Sequence, residues 1–174
     1  KVFIGKNILH VAVFKKKDQR TIYNMIYQDG KGGTSYIKRF AVTGVTRDKA
    51  YDLTQGKPQS TVLYFSANPN GEAEVVTILL RNLSSIKKVK WDLDFADLQI
   101  KGRSVRGNTV TKYPVRKVEL KEKGVSTLKP RKIWFDEAIR RLNLEERGNL
   151  LGAFKGEDKL LITTTQAKVR AVAP

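Results

Sequence analysis

The side chains with the plainest chemistry in this chain are its cations, and they come in bursts. Lys38 and Arg39 stand inside YIKRF, Arg47 follows in a polar stretch, and Lys87 and Lys88 open a strand-like run. Arg103, Arg106, Lys112, Arg116 and Lys117 crowd the segment GRSVRGNTVTKYPVRK, and Arg131 comes shortly after. Ammonium and guanidinium groups held at outward strand and turn positions neutralise phosphates and release the counterions condensed on a nucleic-acid backbone, a chemistry that needs many cations together. The whole chain agrees: 34 Lys and Arg face 17 Asp and Glu, a formal charge of +17. A field of that sign selects anionic partners, nucleic acid first. An anionic membrane surface is the next choice, but no basic amphipathic helix is visible and no apolar run approaches the roughly 20 residues of a bilayer span.

Other chemistries find little to work with. The glycine-rich QDGKGG at 28–33 fails as a phosphate loop, because Lys31 is followed by Gly32 where a Walker loop needs Ser or Thr, and no helix pattern follows to receive a phosphate. It is expected to be a hairpin turn whose glycines supply positive φ, with Lys31 held out as a solvated cation. His10 is the only histidine and lies in the apolar run NILHVAVF, which makes a poor metal site. Asp92, Asp94 and Asp97, and Glu72 and Glu74, are spaced i, i+2 beside lysines and are expected on a charged outer face rather than as an acid/base pair. Ser84, Ser85 and Ser104 have no GxSxG context and no second histidine to recruit. The absence of cysteine removes thiolate catalysis, disulfides and cysteine-ligated zinc together and suits a reducing compartment.

The elements that must position the cations are short β runs separated by turns. TIYNMIY (21–27) and YIKRFAV (36–42) flank the opening glycines, and TVLYFSA (61–67) and AEVVTILL (73–80) flank NPNG; both read as hairpins. Val89, Trp91, Leu93 and Phe95 alternate with Lys88, Lys90, Asp92 and Asp94, which describes a half-buried strand. Further hairpins are expected at 100–113 and 159–172. One stretch competes as a helix: Phe135, Ile139 and Leu142 recur at helical spacing, with Asp136 and Glu137 early and Gly148 late. Ile37, Arg39, Phe40, Val42 and Val45 match Val110, Lys112, Tyr113, Val115 and Val118 at a constant offset, an internal repeat that suggests a blade-type array. With 174 residues, 40 % of them apolar, the chain can bury a core. Its opening on Lys1 without a signal pattern suggests a piece of a longer protein.

Three long stretches (KRFAVTGVTRDKAYDLTQGKPQSTVLYFSANPNGEAEV, IKGRSVRGNTVTKYPVRKVELKEKGVSTL and RLNLEERGNLLGAFKGEDKLLIT), with RKIWFD, resemble the C-terminal region of the A subunit of bacterial DNA gyrase or topoisomerase IV in its Bacteroidetes-type form. Two elements are general to that family: a G-R-x-x-x-G turn before a strand, here Gly102, Arg103 and Gly107, and an L-G-x-F…D-x-L-L-I-T segment, here Leu151, Gly152, Phe154, Asp158, Leu160, Leu161, Ile162 and Thr163. The resemblance runs through nearly all the chain and thins after Thr163.

The resemblance implies an all-β fold, a β-pinwheel of propeller-like antiparallel blades, present over residues 1–174 as a partial array of about three to four blades. It implies a basic rim that binds and bends duplex DNA, with Lys38, Arg39, Arg47, Lys87, Lys88, Arg103, Arg106, Lys112, Arg116, Lys117 and Arg131 along the path, and roughly eight to twelve phosphate contacts. Backbone contact rather than base reading is expected. The partners implied are double-stranded DNA, the rest of the A subunit and the ATPase B subunit of a heterotetramer, in the bacterial cytoplasm at the nucleoid and with no membrane. No cofactor is expected in this fragment; ATP and Mg²⁺ would act through other domains of the parent enzyme. No R-Y-T with a catalytic tyrosine stands in the chain, so no cleavage chemistry is expected here. The gyrase box of Gln-Arg-Arg-Gly-Gly-Lys-Gly type is matched only by Gln28 to Gly33, with Asp and Gly where Arg belongs; this leans toward the topoisomerase IV type and leaves gyrase open. The rival readings are a basic propeller that grips peptides and an RNA-binding β domain.

Overall fold

A computed structural model describes residues 6–16, 20–82, 86–156 and 158–172. Lys17, Ser84 and Ser85 lie outside the described residues. The rest is all-β, built as several small and mostly antiparallel sheets with no closed barrel among the described residues.

The first sheet grows from the expected hairpin. β1 (Ile22–Gln28) and β2 (Ser35–Ala41) pair antiparallel from Ile22↔Ala41 to Gln28↔Ser35. β3 (Thr61–Asn68) covers the other edge of β1. The second sheet has β4 (Val75–Leu80) between β5 (Lys90–Asp94) and β8 (Val115–Glu122). The free edge of β2 takes two short strands end to end, β6 (Ile100–Gly102) parallel and β7 (Asn108–Thr111) antiparallel. A third sheet places β9 (Arg131–Asp136) between β10 (Arg141–Asn143) and β11 (Asn149–Phe154), and β12 (Leu160–Thr163) pairs only with β13 (Val169–Val172).

The core explains the chain's two periodicities. Ile26 and Ile37 from the first sheet pack against Ala73, Val76, Ile78, Leu80 and Phe95, with Trp91, Leu93, Val115 and Val118 at the margin. Each large aliphatic or aromatic side chain fully buried there is worth about 1.5–3 kcal/mol over its exposed state. Met25, Tyr27 and Phe40 project from the opposite face of the first sheet and are covered by Tyr36, Val42, Leu53 and Phe65. The first sheet is therefore buried on both sides, whereas β5 alternates as its sequence predicts, Trp91 and Leu93 inward and Lys90, Asp92 and Asp94 outward. Packing thins toward the C-terminus, where Leu144, Leu150, Leu151 and Leu161 are at least half exposed.

Four expectations are corrected. The helix at 135–142 is a β-hairpin: Asp136 Oδ1 accepts from the backbone N–H groups of Ala138 and Ile139, Arg140 turns with φ 51°, and Leu142 pairs back against Phe135. The turn at NPNG closes, with Gly71 N–H donating to Asn68 O, but its strands part into different sheets. The chain leaving the turn is taken by residues 125–127 instead, through Ala73 N–H to Val125 O and Thr127 N–H to Gly71 O. At 100–113, β6 and β7 both pair with β2 and not with each other. The internal match is not a structural repeat, because Ile37 to Ala41 form one continuous strand while 110–118 divides between β7 in the first sheet and β8 in the second. The hairpin at 159–172 forms as expected, on the polar turn Thr164 to Lys168.

Candidate nucleic-acid interface

The glycine stretch is a turn that spends its polar groups on itself. Asp29 N–H donates to Thr34 O at 3.0 Å and Gly33 N–H to Gly30 O at 3.3 Å, while Gln28 Nε2 donates to Gly33 O at 3.2 Å. A Cβ at Gly33 would lie 1.9 Å from Asp29 O, so only glycine fits. Asp29 is buried and takes Lys57 Nζ at 3.3 Å. Gly30 N–H donates to Ser60 Oγ at 3.0 Å, so three of the loop's amides are already engaged, and Lys31 is its exposed cation.

Lys38 and Arg39 lead away from the rim. Both were expected to face outward, and both are inside, 4 % and 2 % exposed, because the strand that carries them is covered on both faces. Arg39 points toward the second sheet. Its Nε donates to Asn24 Oδ1 at 3.0 Å, Nη1 to Thr127 Oγ1 at 2.9 Å and Nη2 to Gly71 O at 2.8 Å. Asn24 Nδ2 in turn donates to the buried Glu74 at 3.0 Å, so a buried cation and carboxylate are joined through one amide. Burial pulls the Arg39 guanidinium below its ordinary pKa, with Asp94 and Glu74 opposing. Glu74 thereby departs from the expected outer face. Lys38 points to the opposite side, where its ammonium donates to the carbonyls of Leu53, Arg103 and Val105 at 2.5, 2.7 and 3.2 Å.

Those three carbonyls belong to two surface loops, residues 42–56 and 102–107, and it is there that cations gather. The Arg103 guanidinium lies 3.5 Å from the centre of the Tyr51 ring and donates to Gly44 O, and Lys49 Nζ sits 5.4 Å from the same ring. Tyr51 is fixed by its hydroxyl, which accepts from Thr46 N–H and donates to Thr46 Oγ1; these bonds and Arg103 hold its phenol below the ordinary value. Arg106 lies 5.2 Å from the Tyr36 ring, and Tyr27 Oη donates to Arg106 O at 2.9 Å. Gly107 seats the loop on β2: at φ 96°, a Cβ there would be 2.3 Å from Ile37 O. Arg47 stands 95 % exposed with Asp48 at 4.0 Å, and Lys101 is exposed at the loop's entry. Guanidinium groups braced on aromatic faces keep N–H donors free at the edges, which suits phosphate oxygens.

The remaining candidates form separate groups. Lys87 and Lys88 are exposed and share an open cavity of about 410 Å³ with Trp91, Thr111 and Tyr113, which places the exposed Lys112 beside them in the chain. Arg116 is the extra residue in a β-bulge, since Lys117 pairs with Leu79 and Val115 with Leu80. Lys117 is held by Glu119 at 2.7 Å, and Lys121 by Asp92 at 2.7 Å, so the outer face of the second sheet carries mixed charge. Arg131, half-buried on β9, lines a cavity with Ile133, Leu142 and Leu160 in the C-terminal part. Lys49 and Lys101 join the cations singled out from the sequence, which gave no sign of Tyr36 and Tyr51 as braces because each pairs with an arginine far away in the chain. Among the described residues no group of three or more His, Cys, Asp or Glu could hold a metal ion, and no helix is long and apolar enough to cross a membrane.

A family model described as the topoisomerase C-terminal domain of Bacteroidota matches residues 1–123, which takes in both loops and all the first two sheets; β9 to β13 lie outside it. No curated protein and no solved structure matches the chain.

Proposed function

We propose that this chain, which belongs to the topoisomerase C-terminal domain family of Bacteroidota, binds duplex DNA by its phosphates and bends it toward the rest of a type IIA topoisomerase. The observation that carries the reading is the platform formed by Arg47, Lys49, Lys101, Arg103 and Arg106 on two adjoining loops, with two of its arginines braced on tyrosine rings. Lys87, Lys88, Lys112 and Arg116 add further exposed cations apart from the platform, and the chain's net charge of +17 supplies the long-range attraction. Lys38 and Arg39 leave the contact set, since neither can reach a phosphate from inside the fold. The fragment contributes DNA capture, not cleavage. The rest of the A subunit and an ATP-hydrolysing B subunit are its proposed partners, and a pinwheel its proposed architecture, with the four-stranded order β3-β1-β2-β7 as one blade.

The test is fluorescence anisotropy of a labelled random-sequence 30-bp duplex at 50 and 200 mM salt. Five phosphate contacts give a log–log slope of about −4.5, so affinity should fall by about 500-fold between the two. The triple variant R47A/R103A/R106A should flatten that slope by about 3. Binding that is equally feeble at both salts, or single-stranded RNA outcompeting the duplex, would overturn the reading in favour of a peptide-gripping propeller or an RNA-binding domain.

A further inference from the structure

Lys38 is a buried cation with no carboxylate in direct contact among the described residues. Its three N–H donors are all engaged by backbone carbonyls, one from the loop 42–56 and two from the loop 102–107. The rings of Phe40 and Tyr27 lie 4.9 and 5.7 Å from the same nitrogen and favour its positive charge. Among the described residues, the other ties between the two loops run through the Arg103 side chain, whose hydrogen bond to Gly44 O is exposed to solvent. A carbonyl turned inward to meet an ammonium also turns its residue's side chain, and Arg103 is both an acceptor for Lys38 and the guanidinium stacked on Tyr51.

We infer that Lys38 is a positioning residue for duplex binding, a staple that holds the two cationic loops in one phosphate-facing arrangement without touching DNA. The inference rests on the proposed DNA platform, but the staple itself is testable without DNA. The charged and titratable groups around it are Asp52 on the first loop, Arg103 and Arg106 on the second, Tyr27 on β1, and Asp97 and Lys101 along the cavity at the edge of β2. Burial pushes the Lys38 ammonium down to about 8, with Asp52 opposing. Tyr27, by contrast, is pushed up to about 12 by burial, so it keeps its proton throughout. The closed arrangement therefore binds fewer protons than one in which Lys38 is solvated, so rising pH favours the closed loops, and the neutral amine still offers two donors to the carbonyls.

The experiment compares the full chain with Lys38→Met, which fills the same space without donors or charge, by duplex anisotropy at fixed salt from pH 7 to 9. Amide hydrogen exchange of residues 43–53 and 102–107 is followed in parallel on DNA-free protein. With a buried pKa of about 8 against an ordinary 10.5, the closed arrangement is about tenfold more favoured at pH 9 than at pH 7, so wild-type loop protection relative to the intrinsic rate should rise by up to about tenfold while affinity does not fall. Lys38→Met should be about tenfold weaker at pH 7, flat to pH 9, and fast-exchanging in both loops. Equal affinity and equal loop protection for the two proteins, or wild-type protection that does not rise with pH, would overturn the staple. If Lys38→Met does not fold, the wild-type exchange profile decides alone. If the wild type binds no duplex at any pH, the proposed function fails, while the exchange arm still tests the staple.

Discussion

Arg39→Gln is the substitution that most sharply separates the buried reading of β2 from an exposed one. In the fold, Arg39 donates to Asn24, Thr127 and Gly71, and Asn24 hands the charge on to Glu74, which also takes Ser66 Oγ at 2.5 Å. Glutamine removes the positive charge and shortens the reach, leaving the Glu74 carboxylate as an unbalanced buried anion. Removing one member of such a network costs about 3–5 kcal/mol. For a chain of this size each kcal/mol moves the melting temperature by roughly 2–4 °C, so a loss of roughly 6–20 °C is expected. Thermal melting and urea unfolding would read it, alongside Glu74→Gln and the double variant. The double should fall short of the summed single losses by at least about 1 kcal/mol, because the groups share one network. Arg47→Gln is the control, since a side chain 95 % exposed should change stability by no more than about 0.5 kcal/mol. The reasoning is refuted if Arg39→Gln melts within about 2 °C of the wild type, or weakens duplex binding while leaving stability alone, as an outward phosphate contact would.

Two further outcomes follow from the same geometry. The folded-state pKa of Lys38 lies below its unfolded value, so the unfolded chain binds more protons between about pH 8 and 10.5. Its contribution to global stability should therefore rise with pH through that window, and the difference in urea midpoint between wild type and Lys38→Met, measured at pH 7.5 and 9.5, should move in favour of the wild type; movement the other way would place the ammonium in a stabilising rather than a desolvating site. Gly107→Ala should cost about 1–3 kcal/mol from strain at φ 96°, beyond the clash with Ile37 O, and lower duplex affinity by lifting the loop off β2. Gly102→Ala, where an added Cβ meets nothing within 4 Å, should be tolerated, and thermal melts of the pair decide the point.

Much of the local structure was legible from residue types and spacing. The β1–β2 hairpin, the half-buried β5 and the terminal hairpin all carry their own period and turn chemistry, as does the glycine turn, where the absence of a following helix was enough to reject a phosphate loop. The errors arose where the same local signals admit two partners. A run ending in NPNG closes a turn whether or not its strands pair, and here residues 125–127 captured the segment after the turn. Phe135, Ile139 and Leu142 fit a helical stripe, but Asp136 can hydrogen-bond to the next backbone amides and close a hairpin instead.

The sequence alone determined the sign of the field, the all-β class, the family and the poverty of catalytic groups, because charge count, hydrophobic period and motif are properties of the chain itself. The tertiary structure decided which cations face solvent. Alternation along YIKRF allots Lys38 and Arg39 to opposite faces of a strand, and only the packing of a second sheet on one face and a loop on the other makes both faces interior. Burial is a relation between segments far apart in the chain, and no spacing within one strand encodes it.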